Sequence, residues 1–329
     1  MTGNGASLWP VSGDADGIRA LLEEWDAADD PRPLVIATSG STGRPKRVVL
    51  SRDAMRFSAD ATHARLGGPG SWELNLPPTY VAGVQVLYRT IRAGVTGRRY
   101  LSLVPTQLIR ILRDRDGVDE AASLAGFDAV LVGGGPLDPK VRAEAEAAGV
   151  RVVQTYGMSE TCGGCVYDGV PLAGVEVRID DQEVLLRGPV LFDGYEGDPD
   201  RTAAALRDGW LVTDDLGHWG PDGRLRIDGR ADDVIISGGV NVPAVAVAAM
   251  VAKDDAVRAV EVLGVPDPDW GERVVAVATV AEALSLERVR DLVEPREWAP
   301  RQLVVVEEMP LLPNGKPDRE SMKRLALDA

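Results

Sequence analysis

Buried-strand and helix patterns alternate along the first 160 residues, and this alternation limits the folds that the chain can adopt. Apolar runs such as "PLVIATSG" (33–40) and "FDAVLVGGG" (127–135) end in glycine, as buried strands do where they enter a loop. Between them, "SRDAMRFSADATHARL" (51–66) has the pattern of a helix with Ser51 as its N-cap. Because alternating strands and helices favour parallel pairing, we predict an α/β fold with mostly parallel sheets flanked by helices.

The pattern changes near residue 174. There "GVEVRIDDQEVLLRG" and "GRLRIDGRADDVIISGG" predict short strands joined by tight turns, and hence a small antiparallel, barrel-like β part. The remaining helical and strand patterns predict a small α+β domain. We place the boundary within "GRADD", which divides the chain into a large N-terminal domain (1–229) and a small C-terminal domain (230–329).

Composition and charge exclude several classes of protein. The formal net charge of -15 argues against nucleic acid and anionic membrane as the main partner. No apolar run approaches the roughly 20 residues of a membrane span, and the N-terminus lacks the pattern of a signal peptide. Since the chain contains only two cysteines, a disulfide-built secreted protein is not expected either. We expect a cytoplasmic protein that acts on small molecules, and a homodimer stays open.

The stretch "TSGSTGRPK" (38–46) has the composition of a phosphate-binding loop. Its glycines let backbone N–H groups turn toward an anion, its hydroxyls add neutral donors, and its lysine adds a mobile charge. Its spacing matches neither the Walker A loop nor the dinucleotide-binding G-x-G-x-x-G pattern. On composition alone, a solvated turn between two strands is the alternative. The residues assigned to phosphate binding are Thr38, Ser39, Gly40, Ser41, Thr42, Gly43 and Lys46.

This loop resembles the signature loop of the adenylate-forming superfamily, which contains acyl- and aryl-CoA ligases, nonribosomal adenylation domains and luciferases. Four more stretches resemble later motifs of that family in the same order: "TYGMSET" (155–161), "GWLVTDDLG" (209–217), "GRADDVIISGGVNV" (229–242) and "PNGKPDR" (313–319). The resemblance implies a reaction in two steps. A carboxylate first attacks ATP to give an acyl-adenylate and pyrophosphate, and the thiol of coenzyme A then gives acyl-CoA and AMP.

The resemblance also implies roles for single residues. Glu160 would hold Mg²⁺, a hard cation that takes carboxylate and phosphate oxygens. Lys316 would be the catalytic lysine that stabilises negative charge in the transition state of adenylation. The small domain would rotate about Asp232 between the two steps. The residues implied to contact ATP or coenzyme A are Gly133, Gly134, Gly135, Tyr156, Gly157, Thr161, Asp215, Arg230, Gly238 and Gly239. Each role has a structural alternative. Tyr156 could be a core tyrosine, Glu160 and Thr161 could belong to a solvated loop, and Asp232 and Lys316 could be exposed turn residues.

Three stretches are similar to the o-succinylbenzoate–CoA ligases of menaquinone synthesis: "AGVQVLYR" (82–89), "SLVPTQL" (102–108) and "YGMSETCGGCVYDGVPLAGV" (156–175). This similarity implies an aryl carboxylic acid as substrate, with Arg89 meeting a second carboxylate. Arg89 could instead be a surface residue of an amphipathic helix. The residues implied to bind the acid are Tyr80, Arg89, Ser102, Gly163, Gly164 and Val166. A CoA ligase for another acid, a stand-alone adenylating enzyme and a non-catalytic nucleotide-binding protein are the other hypotheses.

Two features depart from the family's pattern. Tyr80 stands in "PPTYVAG", where such ligases often carry histidine. Only about five residues separate a helix ending at Gly94 from the next strand, whereas a parallel crossover needs about a dozen. We therefore expect either that a strand and a helix have been deleted there or that disordered residues are omitted from the sequence. Cys162 and Cys165 form a C-x-x-C pair, for which a pocket wall of small residues is favoured over a redox or zinc site.

Overall fold

The computed structural model describes most of the chain, and Asp232 is described without its side chain. The described residues are 9–38, 46–94, 97–113, 122–312, 315 and 317–329. They form two compact units, of which the first contains Met1–Arg178 and Leu185–Thr213 and the second contains Ile179–Val184 and Asp214–Ala329. The sequence predicts that a mobile domain begins at residue 230. Because a single structure does not show movement, this stays a prediction.

The helices of the described part are α1 (Ala15–Ala27), α2 (Arg52–Leu66), α3 (Val81–Ala93), α4 (Pro105–Arg113), α5 (Pro139–Ala147), α6 (Pro199–Ala205), α7 (Ala244–Val251), α8 (Leu286–Asp291) and α9 (Arg319–Asp328). The strands are β1 (Trp9–Pro10), β2 (Leu34–Thr38), β3 (Lys46–Leu50), β4 (Ser71–Glu73), β5 (Arg99–Leu103), β6 (Ala129–Gly133), β7 (Val152–Met158), β8 (Gly163–Tyr167), β9 (Val170–Pro171), β10 (Glu176–Asp180), β11 (Glu183–Arg187), β12 (Gly194–Tyr195), β13 (Leu206–Arg207), β14 (Trp210–Trp219), β15 (Leu225–Arg230), β16 (Val234–Ser237), β17 (Val240–Pro243), β18 (Val257–Asp267), β19 (Gly271–Val280) and β20 (Gln302–Val305). None of the helices in this part of the chain is long and apolar enough to span a bilayer.

The first unit is built on two sheets. In the larger sheet, strands β4 to β7 lie side by side in parallel, and β8 and β9 extend it in antiparallel fashion. The smaller sheet has the order β1-β2-β3-β12, in which β2 and β3 are antiparallel neighbours. Buried side chains of β5, β6 and β7 pack with α4 and α5 in one apolar core, which includes Leu101, Val130 and Leu108. The predicted class, mostly parallel strands flanked by helices, is confirmed.

Helix α2 illustrates how local sequence sets an element's ends. Ser51 is the N-cap, and its Oγ accepts a hydrogen bond from the backbone N–H of Ala54 at 3.3 Å. At the other end, Gly67 adopts the left-handed conformation (φ 103°), which glycine reaches without the steric cost of a side chain. Both ends agree with the predicted helix over 51–66.

The connection between β4 and β5 is a complete parallel crossover. Strand β4 pairs in parallel with β5, so that Trp72 lies opposite Tyr100, and α3 connects the two strands. This helix alone contributes 13 residues, which satisfies the minimum of about a dozen for a parallel crossover. The short β4 was not predicted from the sequence, and the expectation that a further strand and helix are missing before β5 stays a prediction.

The antiparallel β part is also confirmed. Strand β13 pairs with β14, and β14 pairs with β15, both in antiparallel register, within a sheet of order β10-β11-β14-β13. The register of β14 and β15 places Asp215 directly opposite Arg230.

The second unit contains the predicted α+β arrangement. Its sheet has the order β17-β16-β19-β18, and β20 pairs in parallel with β19 outside this order. Successive residues of β19 enter different cores: Val274 packs with α7 and α8, whereas Val275 packs with α9. This alternation follows from the two-residue period of a strand whose two faces are both covered. Strand β18 and helices α1 and α9 are not among the predicted elements.

Candidate active site

A tight turn after β7 buries the predicted metal ligand. The Oγ1 of Thr161 accepts a hydrogen bond from the N–H of Met158 at 2.9 Å and lies 2.7 Å from the carbonyl oxygen of Gly163, to which it can donate. These bonds close a short 3-10 turn over Ser159–Thr161 and direct the chain into β8. Glu160, in the middle of this turn, is only 7% exposed. The alternative of a solvated Ser-Glu-Thr loop is therefore wrong.

The smaller sheet brings a second group to this carboxylate. The hydroxyl of Tyr195, on β12, donates a hydrogen bond to Oε1 of Glu160 at 2.7 Å. Strand β12 pairs with β3, and Nζ of Lys46 lies 5.7 Å from the centroid of the Tyr195 ring. Two residues that the sequence predicts near phosphate, Lys46 and Glu160, thus flank one tyrosine that the sequence analysis missed. Its only local signal is the "GY" pair that follows an apolar stretch.

The donor set fits a magnesium ion that is shared with a nucleotide. Within the described residues, no group of three or more histidine, cysteine, aspartate or glutamate side chains could enclose a metal. Glu160 is a buried carboxylate with one oxygen bound to Tyr195 and a second oxygen available. Mg²⁺ is commonly held by one or two carboxylates together with substrate phosphates, so this arrangement suits it.

The glycines predicted at the adenine lie where adjacent parallel strands end. They are Gly133, Gly134 and Gly135. A Cβ on Gly133 would lie 2.2 Å from Oγ1 of Thr155, and one on Gly157 would lie 2.2 Å from the carbonyl oxygen of Gly163. Packing alone therefore demands glycine at two of the predicted nucleotide positions, beside Tyr156 on β7. The carboxyl ends of parallel strands are also where ligands bind in open α/β sheets.

The predicted ribose-binding pair lies in the second unit. Asp215 is 8% exposed, and its Oδ1 is 3.7 Å from Nη1 of Arg230 on the neighbouring strand. The other terminal nitrogen of Arg230 donates a hydrogen bond to Oδ2 of Asp214 at 3.1 Å. A carboxylate beside a guanidinium keeps acceptor capacity, as a ribose diol requires.

The residues predicted for the coenzyme A step also lie in the second unit. Gly238 and Gly239 form the turn between β16 and β17, with φ of 59° and 79°. A Cβ on Gly238 would lie 2.7 Å from the ring of Trp270, so this turn needs glycine whether or not a ligand passes it. Asp232 lies in the 3-10 turn Ala231–Asp233, and its role as a hinge stays a prediction.

Several predicted residues lie outside the described part of the chain. The phosphate loop is described only at its two ends, where Thr38 and Lys46 face each other across the β2–β3 pair. The predicted residues without a described structure are Ser39, Gly40, Ser41, Thr42, Gly43 and Lys316.

Arg89 is the most informative of the predicted acid-binding residues. It lies on α3 with 4% exposure, so the alternative of a surface residue is wrong. Its guanidinium carbon is 5.0 Å from the centroid of the Trp72 ring. Its Nε is buried without a hydrogen-bond partner, and no described carboxylate forms an ion pair with it. A buried charge without a counter-charge is costly, and the cost is recovered when an anion binds.

The surroundings of Arg89 contain a histidine that stays neutral. The indole N–H of Trp72 donates a hydrogen bond to Nε2 of His63 at 3.2 Å. Burial, and then the nearby charge of Arg89, lower the pKa of His63 to about 4. At neutral pH His63 therefore accepts this bond, and Arg89 carries the positive charge. Neither His63 nor Trp72 is among the sequence-predicted site residues.

The glycine-rich strand β8 faces the same side of α3 as Arg89. Gln85 precedes Arg89 by four residues, so both side chains lie on one face of the helix. A Cβ on Gly163 would be 3.7 Å from Cγ of Gln85. Gly164 is also tightly packed, and Val166 is 1% exposed. The start of β8 therefore lies against the face of α3 that also carries Arg89.

The other predicted acid-binding residues are less closely connected. Ser102 is 8% exposed on β5, and Tyr80 occupies the N-cap position of α3. The described contacts do not join either side chain to Arg89. Cys162 and Cys165 are both buried free thiols whose pKa is raised by burial, which agrees with a role as packing residues.

Fold and site together define a class. A buried carboxylate and a lysine both lie close to Tyr195, and an α+β unit follows in the chain, as in an α/β enzyme that handles nucleotide phosphates. The chain belongs to the family of AMP-binding enzymes: residues 97–196 match that family, and residues 246–316 match the AMP-binding enzyme C-terminal domain.

Individual relatives are similar over most of the chain. The "Probable 2-succinylbenzoate--CoA ligase" of Mycobacterium tuberculosis is 40% identical over 359 aligned positions, which cover 98% of this chain and 92% of the relative. The o-succinylbenzoate coenzyme A synthetase of Bacillus subtilis, solved with ATP and magnesium ion, has a TM-score of 0.74 at 25% identity, covering 88% and 69% of the two chains. An amide bond synthetase from Marinactinospora thermotolerans has a TM-score of 0.78 at 28% identity, covering 90% and 69%.

Proposed function

We propose that this protein is an ATP-dependent, AMP-forming ligase that joins 2-succinylbenzoate to coenzyme A, as a cytoplasmic enzyme of menaquinone (vitamin K2) biosynthesis. The observation that carries the choice of acid is Arg89, a buried cation without a described counter-charge. The similarity to a relative named for the same acid supports the choice.

The substrate's chemistry matches this arginine. 2-Succinylbenzoate has two carboxylates, of which one is activated and the other stays charged throughout the reaction. A guanidinium can accept such a carboxylate through paired hydrogen bonds. Most simple aryl and fatty acids lack a second carboxylate, so they would leave Arg89 buried and unpaired. The acid that neutralises Arg89 should therefore bind best.

In the first half-reaction, an oxygen of the activated carboxylate forms a bond to the α-phosphorus of ATP, and the bond to the bridging oxygen of pyrophosphate breaks. Lys46 and the loop that precedes it would hold the departing pyrophosphate. Lys316 would stabilise the charge that develops between the carboxylate and the α-phosphate. Mg²⁺, when bound, would neutralise phosphate charge, and Glu160 would be its protein ligand. The enzyme's own contribution is mainly to position the reactants.

In the second half-reaction, the thiol sulfur of coenzyme A forms a bond to the acyl carbon, the thiol proton is lost, and AMP leaves. We propose that residues 230–329 rotate about Asp232 between the two steps. Lys316 would then leave the site, and the turn at Gly238 and Gly239 would border the path of the pantetheine arm. Asp215 and Arg230 would retain the ribose.

A panel of acids tests this function. The purified enzyme would be given ATP, Mg²⁺, coenzyme A and one of four acids: 2-succinylbenzoate, 4-oxo-4-phenylbutanoate, 2-butanoylbenzoate or benzoate. AMP release and the mass of the thioester would be measured. We expect 2-succinylbenzoate to have the highest kcat/KM. An analogue that lacks only the non-activated carboxylate should lose about 30-fold, the equivalent of one charge-assisted contact worth about 2 kcal/mol.

The panel also separates the competing hypotheses. A higher kcat/KM for benzoate than for 2-succinylbenzoate would point to a different acid. Acyl-adenylate formation without any thioester would indicate a stand-alone adenylating enzyme. Absence of AMP with every acid, despite measurable ATP binding, would favour a non-catalytic nucleotide-binding protein.

A further inference from the structure

One short segment of the first unit holds Glu160 at two points. The backbone N–H of Phe192 donates a hydrogen bond to the carbonyl oxygen of Glu160 at 2.9 Å. Three residues later, the Tyr195 hydroxyl donates to the Glu160 side chain. Residues 192–195 therefore fix both the backbone and the carboxylate of the proposed metal ligand.

The Tyr195 ring is itself firmly placed. Its backbone N–H donates to Oγ1 of Thr202 at 2.9 Å, and β-sheet pairing sets Tyr195 opposite Val48. The ring of Phe192 packs edge-on against it, with the centroids 4.9 Å apart. A hydroxyl on such an anchored ring can hold a carboxylate in one orientation with little loss of entropy.

Two cationic side chains lie near the same ring. Besides Lys46, the guanidinium carbon of Arg201 is 5.2 Å from the Tyr195 ring centroid. No described carboxylate forms an ion pair with either cation. A lysine, an arginine and a carboxylate gathered around one tyrosine suit a polyanion that arrives with its own divalent cation.

We propose that Tyr195 is a positioning residue for the metal–phosphate side of the site. Its hydroxyl occupies Oε1 of Glu160 and so presents the other carboxylate oxygen to Mg²⁺, while its ring places Lys46 and Arg201 toward the phosphates. The proposal rests on the proposed function because it assumes that the enzyme uses ATP. It does not depend on which acid is the substrate. Groups that hydrogen-bond a metal ligand typically affect metal affinity by about 10-fold to 100-fold.

The test compares two tyrosine variants that lose the same atom. Tyr195→Phe removes the hydroxyl and keeps the ring. Tyr100→Phe is the matched control, since the Tyr100 hydroxyl donates to the carbonyl oxygen of Gly68 at 2.9 Å, in a different part of the unit. Binding of a non-hydrolysable ATP analogue would be measured by calorimetry with excess chelator and with Mg²⁺. Mn²⁺ bound to the enzyme–nucleotide complex would be followed by electron paramagnetic resonance.

We expect Tyr195→Phe to weaken Mn²⁺ binding in the nucleotide complex by about tenfold, with unchanged analogue binding in chelator. Tyr100→Phe should leave both quantities unchanged. The proposal is overturned if Tyr195→Phe binds Mn²⁺ as the wild type does, or if analogue binding in chelator falls by the same factor. Neither measurement involves an acid, so a wrong substrate assignment would leave this result intact and would show only in the acid panel.

Discussion

Tyr88 and Arg89 are neighbours on α3, yet their buried polar groups have opposite surroundings. The Tyr88 hydroxyl donates a hydrogen bond to Oδ1 of Asp26 at 2.5 Å, and Nε of Arg56 donates to the same oxygen at 2.8 Å. Arg89 has an aromatic ring beside it but no described carboxylate. Tyr88 therefore belongs to a network of charged groups, whereas Arg89 has no described counter-charge.

The difference separates a structural site from a binding site. Burial alone would raise the pKa of Asp26, but the hydrogen bonds from Arg56 and Tyr88 hold it below its ordinary value. That network therefore stabilises the fold without a ligand. Around Arg89, no described carboxylate offsets the cost of burial. We therefore propose that Tyr88 serves the stability of the fold and that Arg89 serves specificity for an anion. Three variants test this distinction.

The largest effect is expected for Asp26→Ala. This change leaves Arg56 and Tyr88 without their acceptor, and breaking such a partly buried network should cost about 3 kcal/mol of unfolding free energy. Urea unfolding at pH 7 measures it. Asp60→Ala is the matched control, because Asp60 forms an ion pair with Arg92 at 2.9 Å but its side chain is 56% exposed. A loss below about 1 kcal/mol, equal to that of an exposed pair, would contradict a structural role for Asp26.

A smaller effect, on substrate binding rather than on stability, is expected for Arg89→Met. The KM for 2-succinylbenzoate should rise about 30-fold, corresponding to about 2 kcal/mol, with ATP binding unchanged. The unfolding free energy should stay level or increase, since a buried unpaired charge is removed. Arg92→Met, three residues further along α3, should leave this KM unchanged because Arg92 pairs with Asp60. An unaltered KM together with a destabilised fold would assign Arg89 to the structural network.

The smallest effect concerns His63, which accepts a hydrogen bond from Trp72, the ring that lies beside Arg89. Its pKa is lowered from 6.5 to about 4, so the unfolded chain binds a proton that the folded protein rejects. Stability should be unaffected above pH 6.5 and should fall as the pH drops from about 6.5 toward 4. Between pH 6.5 and 5.5 the loss is about 1 kcal/mol. Urea unfolding at both pH values would measure it.

The comparison for this prediction is the other histidine of the chain, His218. His63→Gln should make stability less dependent on pH over this interval than His218→Gln does. Equal slopes for the two variants would show that His63 is protonated in the folded protein, and the neutral surroundings inferred for Arg89 would then be wrong.

Much of the fold could be predicted because its signals are local. Ser51 and Gly67 mark the ends of α2 through their own hydrogen bonds and backbone conformation. Strand β4 was missed since three residues carry too little pattern.

The candidate site could be predicted only in part. Glu160 and Arg89 were named from the sequence because the stretches that contain them resemble motifs of a known family. Their surroundings could not be predicted, because Tyr195 reaches Glu160 from 35 positions away and His63 reaches Arg89 through Trp72.

The sequence by itself determined the order of helices and strands and the set of residues suited to nucleotide chemistry, since both depend on neighbours along the chain. The tertiary structure decided which of those residues are buried and which have partners. Burial changes the energy of a charge far more than its position in a motif does. Arg89 is for that reason an ordinary helical arginine in the sequence but a buried cation without a described counter-charge in the fold, and its role as an anion receptor is our proposal.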